Sequence, residues 1–234
     1  MENTDKCFFC EEKLIFSTYS QTCIYCNKSE EVDLVCPDNH FICDSCKLKH
    51  TWDLIDDYCI SAATTDPVSM AEVLMKSPGF LMHCPDHHYL VPAVLLASYC
   101  KKTKKTKKLE GWLKIARNRA EKVPGAFCGT HGSCGAAVGT GIFMSTVLGA
   151  TPLSSIEWNL CNSVVGKSLL SMASYGGPRC CKRVTYLSLQ ETGTFVKERL
   201  SVQLSVPEEI ECKFYLRNEG QCLKNKCPFY PNIN

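Results

Sequence analysis

Four closely spaced pairs of metal-ligand residues open the chain: Cys7-x2-Cys10, Cys23-x2-Cys26, Cys36-x3-His40 and Cys43-x2-Cys46. Zinc takes four sulfur or nitrogen ligands at tetrahedral angles, and a Cys-x2-Cys turn supplies two of them from one tight loop. Four pairs make eight ligands, enough for two zinc ions. Free buried thiols have no reason to repeat that spacing. Two pairings stay open: sequential (first with second, third with fourth) or cross-braced (first with third, second with fourth). The spacing resembles the cross-brace of RING and treble-clef fingers. A segment with so little apolar periodicity cannot build a core, so residues 1–50 are expected to form a small zinc-ribbon or treble-clef-like module organised by its ligands. Sites closed by four protein ligands are structural rather than catalytic.

Of the 234 residues, 18 are Cys. In a short secreted chain that number predicts a disulfide scaffold. Here the N-terminus MENTDKCFFCEEK is acidic and has no apolar leader core, and a chain of this length needs no staples to fold. A cytoplasmic, reducing setting is expected, where cysteines serve metals or thiol chemistry. Net charge is +2, unevenly spread: residues 1–60 hold 12 Asp+Glu and 5 Lys+Arg (−7), residues 61–234 hold 12 and 21 (+9). An acidic zinc module matches a polyanion poorly, so DNA is excluded as a partner. The run Lys101-Lys102-Thr103-Lys104-Lys105-Thr106-Lys107-Lys108 reads as a solvated loop, with RNA contact as a second reading. Residues 135–153 approach bilayer-spanning length. Their Gly, Ser and Thr content, Pro152 and the lack of a second span mark a buried core helix, and no membrane partner is expected.

The rest predicts a mainly α domain over residues 51–207, followed by a cysteine-containing tail, 208–234, packed on it. Helices are expected at 47–63, with Trp52, Ile55 and Cys59 on one face, and from Asp66-Pro67 to the break at Ser77-Pro78-Gly79. Further helices are expected at 89–100 and from Leu109 to Pro124-Gly125, the latter striped by Trp112, Leu113, Ala116 and Ala120. A core helix begins near Ala136, and a Ser154/Glu157 capping box opens one that runs to Tyr175. After the Gly176-Gly177-Pro178 turn, Cys180-Cys181 begin the last helix, ending near Leu200, and the tail adds a short strand.

Eleven cysteines lie beyond the module. Cys59, Cys100 and Cys161 fall on apolar helical faces and read as packing. Cys128 and Cys134 flank a Gly-rich loop at a helix start, and Cys180-Cys181 precede Lys182-Arg183 at another. Helix N-termini and nearby cations favour thiolate, and the glycines permit close approach of a cluster or anion. The tail repeats the theme as Cys212-x9-Cys222-x4-Cys227-Pro, like the end of a ferredoxin cysteine run. Cys128, Cys134, Cys180, Cys181, Cys212, Cys222 and Cys227 are therefore candidate ligands of an iron–sulfur cluster of the [4Fe–4S] kind, three of whose thiolates would leave one iron open to substrate. Further zinc and metal-free reactive thiols are the alternatives. His83, His87 and His88 cluster around Cys84 and Asp86, able to bind metal or move protons, with Asp86 orienting one ring. Gly166-Lys167-Ser168 mimics the end of a phosphate-binding loop but lacks the glycine five residues earlier, where Cys161 stands.

The segments MHCPDHHYLVPAVLLASY, VPGAFCGTHGSCGAAVGTGIF and GGPRCCKRVTYLSL resemble an uncharacterised prokaryotic family known only as a domain of unknown function. The resemblance covers about residues 60–230, and CPDNHFICDSC resembles the zinc module usually joined to that domain. It implies an anaerobic setting and, through relatives joined to radical-SAM modules, suits iron–sulfur chemistry. The family pattern has glycine where this chain has Cys84, and an aromatic near His131, so neither residue is carried over. The expectation is an enzyme of sulfurtransferase type acting on a small molecule, a sulfur carrier or tRNA. Its catalytic set is His83, His87, His88, Cys128, Cys134, Arg179, Cys180, Cys181 and Lys182, with His87 or His88 as acid/base and with Arg179, Lys182 and Arg183 steadying an anionic substrate. The alternative is a zinc adaptor that delivers metal, sulfur or electrons to a partner enzyme, for example a radical-SAM enzyme.

Overall fold

The computed structural model describes Cys7, Phe9, Cys10, residues 12–43, Cys46, residues 50–77 and residues 79–232. These residues form two strands and eight helices, a mainly α chain with a small cysteine-built head. In the head, β1 (Ile15–Thr22) and β2 (Ser29–Val35) pair antiparallel, Ile15 opposite Val35 and Thr22 opposite Ser29. Sequence periodicity did not signal this hairpin because both of its faces are largely exposed; Gln21 and Val35 are its buried residues. Cys23 and Cys26 sit in the connection between the strands, while Cys36 leaves β2 at the opposite end. Asn27 and Asn39 take left-handed backbone angles, φ 59° and 58°, inside the second and third ligand turns, where Asn is tolerated better than most residues.

The first two helices start on side-chain caps. His50 Nδ1 accepts from Trp52 N at 3.3 Å ahead of α1 (Thr51–Ser61), and Asp66 Oδ1 accepts from Val68 N at 2.8 Å ahead of α2 (Pro67–Met75). Of the expected helix from residue 47, residues 47–49 lie outside the described residues, as does Pro78 at the next break. Helix α3 (Asp86–Lys102) begins three residues before its expected start, so the histidine cluster forms its approach and first turn. Its apolar positions run all round the helix, and it lies at the centre, against α1, α2, α4 (Leu109–Ala120), α6 (Gly135–Leu148) and α8 (Cys181–Leu200). Between them lie the single turn α5 (Phe127–Thr130) and the outer helix α7 (Ile156–Tyr175). Helix α6 closes tightly on α3 because Gly139 has no side chain; a Cβ there would stand 2.8 Å from Pro92 Cδ.

Two local expectations are corrected. Helix α7 has Ser155 as its N-cap with no side-chain cap bond, because Ser154 Oγ instead accepts from Thr151 N at 3.0 Å in the preceding turn. The tail forms two 3-10 turns, Leu216–Asn218 and Lys224–Lys226, where a strand was expected, and its Cys212 N donates to Phe229 O at 2.7 Å. Gly166-Lys167-Ser168 lies inside α7, with Ser168 Oγ bonded to Val164 O at 2.9 Å, which removes the phosphate-loop resemblance. Among the described residues no helix is long and apolar enough to cross a membrane, and 135–148 is buried core. The head and the helices share one apolar cluster. Tyr25 is its link: fully buried, it donates to Val73 O at 3.1 Å and meets Tyr58 edge-on at 5.9 Å.

Candidate metal and thiol sites

The hairpin decides how the eight N-terminal ligands are shared. It carries the second pair to one end and the third to the other, so the first pair meets the third and the second meets the fourth. Cys7, Cys10, Cys36 and His40 form one group and Cys23, Cys26, Cys43 and Cys46 the other, with all ligand atoms of each group within 4.8 Å of one another. Cys10 Sγ lies 3.4 Å from Cys36 Sγ, and His40 Nδ1 lies 3.5 Å from Cys36 Sγ. Backbone N–H groups already point at the sulfurs: Phe9 N to Cys7 Sγ at 3.4 Å and Cys43 N to Cys23 Sγ at 3.5 Å. This is the cross-brace. Both groups can bind a metal ion.

In the helical domain a pocket of about 80 Å³ opens between the start of α3, the α5 turn and the start of α8. It is lined by Cys84, Cys128, Cys134 and Cys181, by His83, His87 and His88, and by Arg179 at its exposed rim. Cys84 was set aside on sequence grounds; its position one residue before the α3 cap brings it in. The rings differ in freedom. His87 Nδ1 lies 2.9 Å from the Cys84 carbonyl, which can only accept, so that nitrogen carries the proton; Nε2 then accepts from Lys182 Nζ at 3.2 Å. His88 Nδ1 is likewise turned to Val123 O at 3.2 Å, leaving Nε2 over Gly135, where an added Cβ would come within 2.3 Å of it. Gly135 thus makes room for an imidazole rather than for a cluster. Asp86 does not orient a ring. Its Oδ1 accepts from Trp52 Nε1 at 2.5 Å. His131 lies outside, stacked on Phe127 at 4.4 Å.

The adjacent Cys180 and Cys181 part company. Cys181 lines the pocket, whereas Cys180 faces a second cavity together with Cys212, Cys222 and Cys227. Lys182 is fully buried between the two, its Nζ bonded to Leu81 O and His87 Nε2, both at 3.2 Å, and set over the Phe80 and Phe214 rings. Arg183 is buried as well, its Nη2 holding the carbonyls of Gly176 and Pro178 at 2.8 and 2.9 Å. Of the three cations expected to meet an anionic substrate, only Arg179 reaches the pocket. The lysine run is partly anchored too, Lys101 Nζ bonding Thr64 O at 3.0 Å and Lys108 lying over Trp112 at 5.6 Å.

Thiol acidity runs against the helix-terminus argument. Burial pushes Cys84 up to about 12 and Cys181 up to about 11, and raises Cys134. Desolvation outweighs the helix dipole, so at neutral pH these thiols keep their protons until a metal or a base removes them. Burial also lowers His83 and His88, and lowers His87 far below its ordinary value with help from Lys182. Neutral imidazoles suit both ligation and proton uptake. Cys59 and Cys100 are buried among apolar side chains, as expected of packing residues.

No curated protein and no solved structure matches the chain. Residues 55–230 match DUF5714, described as a family of unknown function, and with the greater part of the helical domain inside that match the chain belongs to this family.

Proposed function

We propose that this chain is a metal-dependent thiol protein: the two N-terminal groups hold zinc as structural ions, and the helical domain performs sulfur chemistry with an iron–sulfur cofactor. The S4 and S3N donor sets suit zinc. The observation that carries the reaction is the pocket itself, where four cysteines, three histidines and Arg179 from distant segments meet beside solvent. In this reading Cys134 and Cys181 are the sulfur-carrying thiols, with Cys84 and Cys128 beside them. His88 Nε2 takes the thiol proton, since both nitrogens of His87 are committed. Arg179 meets the anionic donor or acceptor, a small molecule or a sulfur carrier. In the loading step the thiolate attacks a terminal S–S bond of a polysulfide; a new S–S bond forms to the cysteine and the electron pair leaves with the shortened polysulfide.

The test is to incubate the anaerobically purified chain with inorganic polysulfide and map persulfides by mass spectrometry. One added sulfur on Cys134 or Cys181, lost in Cys134→Ser and Cys181→Ser and reduced in His88→Gln, is expected. Labelling that ignores these substitutions sinks the reading. A second reading, the adaptor of a partner enzyme, is favoured by the apolar side chains that the hairpin leaves exposed, Phe16 at 86% and Tyr19 at 61%. Phe16→Ser that leaves persulfide loading intact while abolishing co-purification of an enzyme would favour it.

A further inference from the structure

The second cavity of the helical domain has the marks of a metal centre separate from the pocket. Cys180 comes from the start of α8 and Cys212, Cys222 and Cys227 from the tail, and together they border a small cavity walled by aromatic and aliphatic side chains, among them Tyr186, Phe214 and Phe229. All four are free thiols. Three of the sulfurs are met by a backbone N–H in the manner of the N-terminal ligand turns. Arg183 N reaches Cys180 Sγ at 3.5 Å, Phe214 N reaches Cys212 Sγ at 3.4 Å and Lys224 N reaches Cys222 Sγ at 3.4 Å. The last two repeat the two-residue offset of Phe9 N on Cys7 Sγ. Such N–H groups stabilise thiolate ligands.

Two further donors await an acceptor. Arg183 Nε and Asn218 Nδ2 are buried without hydrogen-bond partners, on side chains 4% and 6% exposed, and both residues line this cavity. Orphaned buried donors are costly unless something unseen accepts from them. Charge points the same way. Lys182 and Arg183 are buried cations bonded to carbonyls and an imidazole, and among the described residues no carboxylate pairs with either. A buried anion would balance them.

The spread of the sulfurs decides the class of ion. Around one tetrahedral zinc, at about 2.3 Å from each thiolate, ligand sulfurs stand roughly 3.8 Å apart. Among the described residues only the two N-terminal groups bring three or more ligand atoms within 4.8 Å of one another. The tail ring is wider. A cubane, whose irons sit at alternate corners, spreads its thiolates further and offers sulfides to the waiting N–H groups.

We propose that Cys180, Cys212, Cys222 and Cys227 ligate a [4Fe–4S] cluster that ties the tail to the helical bundle, apart from the thiol pocket. This rests on the reading that the helical domain carries iron and sulfide, and it assigns their seat. With four cysteine ligands no iron is open, so the cluster carries electrons and does not bind substrate. It takes one electron from an external low-potential donor, passing from [4Fe–4S]2+ to [4Fe–4S]+. Cys180 and Cys181 are adjacent in the chain, so the redox centre and the thiol pocket are joined by a single peptide unit.

The test uses the full chain purified without oxygen, assayed for iron, acid-labile sulfide and zinc, with absorbance near 400 nm and electron paramagnetic resonance after dithionite. The expected wild type holds four irons, four sulfides and two zincs. Cys212→Ser/Cys227→Ser should lose the chromophore and the resonance while keeping both zincs and the helical circular dichroism, and Cys128→Ser/Cys134→Ser should keep them all. Asn218→Leu, which leaves every ligand in place, should retain the cluster with a more negative midpoint potential. A cluster lost in the Cys128/Cys134 variant but kept in the Cys212/Cys227 variant overturns this assignment and leaves iron–sulfur chemistry standing. Three zincs and no iron overturn both. An unchanged potential in Asn218→Leu overturns the placement of the cluster beside that donor.

Discussion

In the N-terminal head the residues that meet in space stand in adjacent pairs along the chain, whereas in the helical domain His87 and Lys182 meet across 95 positions. Apart from its ligands the head buries Phe9, Gln21, Tyr25, Val35 and Ile42, and its strands are largely exposed on both faces. The helical domain is organised by α3, whose side chains from Tyr89 to Cys100 are buried. Without metal the head has almost nothing to hold it, while the bundle has a complete apolar core before any ligand is counted. Cysteine therefore makes structure in one region and is free to make chemistry in the other.

The largest effect follows from that contrast. Structural zinc in finger-like modules contributes on the order of 10–16 kcal/mol of folding free energy. Cys23→Ser breaks the group of Cys23, Cys26, Cys43 and Cys46. On the proposed zinc assignment the expected result is loss of that ion, loss of amide protection in the hairpin and its rapid proteolysis, with helical circular dichroism retained. Cys128→Ser, at an exposed position, should change stability by no more than about 0.5 kcal/mol. A hairpin still protected in Cys23→Ser would break the comparison.

A medium effect sits where the bundle core meets the pocket. An added methyl at Gly135 would lie 2.2 to 2.4 Å from atoms of the His88 ring. The ring must move, and overpacking of this kind costs about 1–3 kcal/mol. Gly135→Ala should lower the urea midpoint and also reduce persulfide loading, because the displaced ring is the proposed base. Gly129→Ala, where nothing lies within 4 Å of the new methyl, is the control and should do neither. Equal behaviour of the two variants would mean that the ring has room to yield.

The contrast also explains what could be read from the chain beforehand. Ligands two or three residues apart announce themselves, because a single turn must place both, and all eight N-terminal positions were legible. Their cross-braced sharing was not, since it depends on a hairpin with no buried face. The bundle's helices were legible from their apolar spacing and from Asp66-Pro67. The division of Cys180 from Cys181 was hidden: neighbours at a helix start leave in different directions, and which cavity each enters depends on where the tail lies. Lys182 misled for a related reason. It reads as a cation that steadies an anionic substrate, yet its position on α8 turns it into the space between Phe80 and Phe214. Helix-terminus arguments for thiolate failed at Cys181 because the same packing that brings it to the pocket removes water from it.

The smallest effect is the one most specific to the core beneath the pocket. His87 is fully buried and held neutral, its affinity for a proton lowered by burial first and by Lys182 second. The unfolded chain binds that proton near the ordinary value of about 6.5. Below that pH, and until the native site also protonates, the unfolded state holds one proton more than the native state. Stability then falls as pH falls, by about 1.4 kcal/mol per pH unit, and the contribution is fully present only above the unfolded value. His87→Gln can still donate to the Cys84 carbonyl and accept from Lys182 but cannot titrate. Urea unfolding of both proteins between pH 7.5 and 5.5, followed by helical circular dichroism so that acid unfolding of the head is not counted, should give a steeper acid decline for the wild type. His83 and His88 titrate in both proteins and cancel in the difference. Parallel declines would place the proton on His87 in the native bundle, and the orientation set by Lys182, with the assignment of His88 as the free base, would fall with it.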